Sequence, residues 1–126
     1  MKFSIDDPQS GLTIQSYSNS TIVINGRAFN KSLALVPDKL LEHDFPAEIT
    51  ALEEQHFSRL AELQPQVVLL GTGEKQHFPP AALYALLINQ GVGVEVMSTP
   101  SACRTYNILK AEGRRVCALL LLDAAD

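Results

Sequence analysis

Val92-Gly93-Val94-Glu95-Val96-Met97-Ser98-Thr99-Pro100-Ser101-Ala102-Cys103-Arg104-Thr105-Tyr106-Asn107 is the stretch that decides the fold. Its first six residues are mostly β-branched and apolar, the composition of a strand. From Ser98 the pattern becomes helical: Thr99-Pro100 reads as N-cap and first-turn proline, Ala102, Tyr106 and Leu109 recur on one face, and Gly113 ends the run. A strand that runs straight into a helix is the repeating half of a parallel β-α-β unit.

Two other runs complete that unit. Like Val92 to Met97, Gln66-Val67-Val68-Leu69-Leu70 and Val116-Cys117-Ala118-Leu119-Leu120-Leu121-Leu122 are nearly continuous apolar strands, as expected where both faces of a parallel sheet are covered. Pro79-Pro80 opens a further helix with Leu83, Leu86 and Leu87 as its inner stripe and Gly91 at its end. The order is strand, helix, strand, helix, strand. Right-handed crossovers put both helices on one face if the strands are laid down in sequence order.

The other face then needs a cover, and the amino-terminal third supplies one. Leu12 to Tyr17 and Thr21 to Ile24 read as short strands parted by Ser18-Asn19-Ser20, and Asn25-Gly26 is a hairpin signal because both residues tolerate positive φ. Ser32 to Val36 is extended and stops at Pro37-Asp38; Pro46 to Leu63 suits a short strand followed by an amphipathic helix. The expected class is α/β in three layers: a central parallel sheet with helices on one face and an amino-terminal antiparallel sheet on the other.

Composition narrows the function classes. A chain of 126 residues with 46% hydrophobic content is expected to form a single domain over residues 1–126. Runs such as Ala118 to Leu122 fall short of the ~20 residues that cross a bilayer, and Met1 to Asp7 has no apolar leader segment. The expectation is a soluble, cytoplasmic protein without membrane insertion. Cys103 and Cys117 lack the spacing of a zinc pair and read as reduced thiols. No metal site and no cofactor motif is read.

A net charge of −4 argues against general nucleic-acid binding, which needs a basic footprint. Arg104, Lys110, Arg114 and Arg115 nevertheless fall within twelve residues that hold one acid, Glu112, while Asp38 to Glu62 is mostly acidic. A solvated charged face and a basic docking patch both fit this pattern.

The candidate site is the rim at the carboxyl ends of the first two parallel strands, where Gly71-Thr72-Gly73 and Ser98-Thr99-Pro100 share one side. Gly71, Thr72, Gly73 and Thr99 could cradle an anion on backbone amides, although this loop lacks the third glycine and the lysine of a P-loop. Cys103 sits in the first turns of its helix beside Arg104, where a thiolate is favoured; the bland reading is a buried core thiol. His43, His56 and His77 lie on other segments, so no general base accompanies it. Arg104 and Asn107, spaced i and i+3, can face one ligand or partner together, or Arg104 can pair with Glu95 while Asn107 caps a neighbouring segment. Thr105 can bond back into its own helix. Glu95, inside an apolar strand, would need a donor if buried.

With Leu70-Gly71-Thr72-Gly73, Gly91 to Thr99, Ala102-Cys103-Arg104-Thr105-Tyr106-Asn107 and Glu112-Gly113-Arg114-Arg115-Val116, the chain resembles a family of small uncharacterised domains. That family includes the mitochondrial complex I assembly factor 3 and stand-alone bacterial and archaeal proteins. The resemblance implies a three-layer fold with one parallel and one antiparallel sheet. It also implies a protein-binding, assembly-factor-like role without catalysis. The alternative is a small anionic-ligand-binding protein or enzyme working between Gly71-Thr72-Gly73 and Cys103-Arg104. The protein partner and the oligomeric state are not readable from the chain, and an open edge of the amino-terminal meander is a third route to association.

Overall fold

The structure, a computed structural model, describes residues 11–18 and 20–123. The leader reading of Met1 to Asp7 and the polar residue Asn19 lie outside the described residues. Strands β1 (Ile14–Tyr17), β2 (Ile22–Ile24) and β3 (Arg27–Phe29) form an antiparallel sheet in the order β1-β2-β3. Strands β4 (Leu33–Val36), β5 (Lys39–Leu41), β6 (Val67–Gly71), β7 (Gly93–Met97) and β8 (Val116–Leu120) form a mixed sheet in the order β5-β4-β8-β6-β7. Three α-helices accompany them: α1 (Glu54–Ala61), α2 (Ala85–Asn89) and α3 (Thr99–Ala111).

The Asn25-Gly26 signal is realised as written. Ile24 pairs with Arg27, and the two loop residues have φ of +47° and +83°, the twist that joins tightly connected strands. The next strand behaves differently from a continued meander. All four side chains of β4 are buried, so it needs two covered faces and enters the central sheet antiparallel to β8. Pro37-Asp38 then turns the chain into β5.

The α/β class, with its parallel strands and separate antiparallel sheet, is the one expected. The placement of the helices differs, because strand order departs from sequence order. The chain steps from β6 out to β7 and then back across β6 to β8. Right-handed crossovers taken in opposite directions put their helices on opposite faces. Ala102, Cys103 and Tyr106 of α3 accordingly pack with Val67, Leu69, Ala118 and Leu120, together with Ile14, Ile22 and Ile24 of the small sheet. Phe57 and Leu60 of α1 and Leu87 of α2 pack with Val68, Leu70, Cys117 and Leu119 on the other side. Helix α3 and the antiparallel sheet thus share one face, and α1 and α2 cover the second.

Three local expectations are corrected. Between Pro46 and Leu52 a 3₁₀ turn, Ile49–Ala51, replaces the short strand and delivers Leu52 into the second core. A 3₁₀ turn, Ala81–Tyr84, precedes α2; the change of period rotates the stripe, so Leu87 is buried while Leu86 is 41% exposed. Strand β7 is an edge strand with alternating exposure, unlike the wholly buried β6 and β8, and Glu95 points to solvent.

Helix α3 is stitched to β1 by Asn107. Its Nδ2 donates to the Ile14 carbonyl at 2.7 Å, and the Ile14 N–H donates to its Oδ1 at 3.0 Å, beside an irregularity in the β1–β2 register. Tyr106 is fully buried and its hydroxyl donates to the Leu12 carbonyl at 2.8 Å. Asn107→Ala would leave the Ile14 backbone groups unpartnered on that side, at a cost of about 1–3 kcal/mol. Denaturant unfolding and faster amide exchange at Ile14 should report that loss; an unchanged midpoint would mean that the stitch carries no net stability.

Candidate functional site

Open α/β sheets take ligands where neighbouring strands send their connections to opposite faces. Here that place lies between the carboxyl ends of β6 and β7, and the chain has closed it. The Thr72 N–H donates to the Met97 carbonyl at 2.9 Å, and the Thr99 N–H to the Gly73 carbonyl at 2.7 Å. The Gly73 N–H donates to Thr99 Oγ1 at 2.8 Å, while the Thr99 hydroxyl donates to the Leu121 carbonyl at 2.7 Å. The Thr72 hydroxyl donates to the Lys75 carbonyl at 2.6 Å and accepts from the His77 N–H at 3.0 Å. The amides that an anion would need are spent inside the fold.

Gly71 permits this closure. A Cβ there would lie 3.0 Å from the Thr99 Cα and 3.2 Å from the Ala102 Cβ, so any larger residue would push α3 a few tenths of an ångström away from the end of β6. Thr99 is therefore the first helical residue, not the cap. Ser98 caps α3, its side chain accepting from the Ser101 N–H at 3.3 Å, and Pro100 falls in the first turn.

Cys103 is buried in the core shared by α3 and the small sheet. Burial pushes its thiol up to about 12, against a smaller opposing pull from Arg104. Burial likewise raises Cys117 to about 12 in the other core, with the sheet between the two thiols. Among the groove residues around Cys103 there is no histidine. The buried His56 instead accepts from the Glu53 N–H through Nδ1 at 2.9 Å and caps α1.

Arg104 is the exposed member of the set. Its Nη1 donates to the Tyr17 hydroxyl at 2.6 Å and its Nη2 to Ser101 Oγ at 3.2 Å. It does not pair with Glu95, which stands exposed on the edge strand. The groove beside it, about 350 Å³, is lined by Gln15, Ser16 and Tyr17 of β1 and by Cys103, Arg104 and Asn107 of α3. A separate cleft of about 430 Å³ lies by Glu48, Thr72, Gly73, Glu74, His77 and Asp123. The expected single site is thereby split: Gly71, Thr72, Gly73 and Thr99 form a hydrogen-bonded seam whose Thr72 and Gly73 also line the second cleft, Cys103, Arg104 and Asn107 line a groove elsewhere, and Thr105 is half-buried on α3.

The basic stretch is also partly used within the fold. Arg115 reaches Asp38 at 2.8 Å and the Leu63 carbonyl at 2.9 Å, joining the basic segment to the acidic one, and Lys110 is buried. Sequence reasoning missed Tyr17, whose hydroxyl orients Arg104. No local pattern marks a tyrosine whose partner lies 87 residues further on.

Fold and site together define a small α/β domain of the Mth938-like kind. A Bordetella pertussis protein described as a Mth938-like domain superposes with a TM-score of 0.82 at 29% identity, covering 100% of this chain and 95% of that one. Residues 14–121 match the model of a protein family of unknown function, DUF498/DUF598, and the chain belongs to that family. The bovine NADH dehydrogenase [ubiquinone] 1 alpha subcomplex assembly factor 3 is 34% identical over 111 residues, which cover 86% of this chain and 59% of the relative. The chain thus spans about three fifths of that relative's length. A "13 kDa major membrane protein" of Francisella tularensis is 29% identical over 114 residues, covering 90% of this chain and 93% of that protein. Among the described residues, no helix is long and apolar enough to cross a membrane.

The thiols generate a test with a defined sign. Both fold-state values lie above the ordinary 9.0, so the unfolded chain ionises first and stability falls as pH rises from about 9 towards 12. The slope is about 1.4 kcal/mol per pH unit for each thiol. Unfolding free energies of the Cys103→Ala, Cys117→Ala variant should lack that part of the alkaline fall, and neither native thiol should react appreciably with iodoacetamide at pH 7. Rapid native labelling of Cys103 would contradict the burial argument.

Proposed function

We propose that this domain is a non-catalytic, assembly-factor-like docking module that binds a protein partner through the outer face of α3 and the adjoining end of β1. The observation that carries the reading is the exposed guanidinium of Arg104, held in a defined orientation by Tyr17 and Ser101. Arginine and tyrosine are the side chains most often found to dominate protein interfaces. One helical turn further, Ile108 is 58% exposed on the same face, an apolar neighbour for the charged anchor. Two of the other candidate groups have structural duties: the seam amides close the switch point and Asn107 holds β1. A relative that is itself named an assembly factor supports the same reading.

In this account Arg104 and Thr105 remain as contact residues from the original candidates. Tyr17, Ser101 and Ile108 join them. Residues 1–126 work as one cytoplasmic domain whose two thiols stay reduced in the core.

Affinity capture from native lysate tests the reading. The Arg104→Ala, Ile108→Ala variant should keep a melting temperature near that of the parent, because both side chains face solvent, and should lose the partners that the parent enriches. Retention of those partners would move the interface off α3. A parent protein that enriches nothing would remove the docking role.

A further inference from the structure

The groove beside Arg104 combines one cation with several neutral donors and has no acid in its lining. Arginine carries five N–H donors, and among the described residues two are engaged, both by hydroxyl oxygens rather than by a carboxylate. The Tyr17 hydroxyl accepts from Arg104, so its own proton is available to an incoming acceptor. Gln15 spends its carbonyl oxygen on the Gly26 N–H at 2.6 Å, which leaves its amide nitrogen to donate. Ser16 adds a hydroxyl to the same wall. In a chain whose net charge is −4, this is a local site for negative charge.

We infer that the Arg104–Tyr17 groove seats the carboxylate of an aspartate or glutamate carried on an exposed segment of the partner protein. This rests on the docking reading above and names the chemistry that the docked surface recognises. The carboxylate takes a charge-assisted hydrogen bond from the guanidinium and a second from the Tyr17 hydroxyl. A protein segment is favoured over a free anion by what adjoins the groove. Ile108 offers apolar contact on the same helix face, which a small ion would not use and a neighbouring side chain of the segment would. The groove is also open rather than enclosed, with Arg104 and Tyr17 both exposed at its edge.

The preset guanidinium matters for affinity. Ordering a long, flexible side chain at an interface costs conformational entropy. Tyr17 and Ser101 meet part of that cost before the partner arrives. Tyr17 thus acts twice, as a donor to the carboxylate and as a positioning group for Arg104.

Selection of a random displayed peptide library on the intact 126-residue chain tests the inference, followed by fluorescence anisotropy with the selected peptides. Peptides selected on the parent should share an acidic residue next to an apolar one. Arg104→Glu should weaken them about tenfold or more, the loss expected for a hydrogen bond to a charged group. Changing the peptide acid to its amide should cost the parent much and Arg104→Gln little, and Tyr17→Phe should weaken binding while leaving the fold intact. Selection without acidic preference, no selection at all, or affinity indifferent to Arg104→Glu would overturn the inference. Displacement of the peptides by millimolar acetate or phosphate would overturn the choice of a protein segment and indicate a small-anion site. If Arg104→Ala, Ile108→Ala still abolishes native capture while the peptides show no acidic preference, the docking surface stands and the carboxylate assignment fails.

Discussion

The Thr99 hydroxyl is the contact on which the arrangement of this domain depends. It donates to the Leu121 carbonyl beyond β8 and accepts from the Gly73 N–H beyond β6, so one buried side chain ties the exits of two strands to the start of α3. Gly71, with no side chain to press on Thr99 and Ala102, lets the helix start lie this close to β6. The reversal of crossover direction, outward from β6 to β7 and back across β6 to β8, would otherwise leave a crevice between the parallel strands β6 and β7, the usual ligand site of an open α/β sheet. The seam makes this end of the sheet a joint of the scaffold, with Thr72 and Gly73 on the wall of the neighbouring cleft.

The consequence is a division of labour along α3. Its inner face, with Ala102, Cys103 and Tyr106, belongs to the core, and Asn107 at its margin holds the small sheet in place. The outer face keeps Arg104 and Ile108 in solvent. Burial raises the Cys103 thiol to about 12, so the same packing that builds the scaffold disfavours its thiolate at neutral pH. What remains at the surface is the Arg104 guanidinium, held by Tyr17 and Ser101, with Ile108 one turn further on.

Much of this was legible in the chain where the signal is local. Asn25-Gly26 specified its turn, the unbroken apolar runs specified β6 and β8, and Pro100 and Gly113 bracketed α3, because each rests on a backbone preference of the residues themselves. Strand order was not legible. Nothing in a crossover's sequence states which side of its parent strand the next strand takes, and that choice put α2 and α3 on opposite faces. The exposure of Glu95 was not legible for the same reason, since an edge position exposes a residue that a central strand would bury. The site suffered most from distance: Asn107 and Ile14 are 93 residues apart in the chain, and the pairing that commits the Asn107 amide to the β1 backbone leaves no local trace.

The sealed switch point is the central claim, and Thr99→Val addresses it most directly because valine keeps the shape and removes the hydroxyl. The account predicts a loss of about 2–4 kcal/mol, as the Gly73 donor and the Leu121 acceptor both lose their buried partner, together with faster native-state exchange of the Gly73 amide. Unchanged stability and an equally protected Gly73 amide would contradict it, and would return the loop between β6 and α2 to consideration as a ligand site.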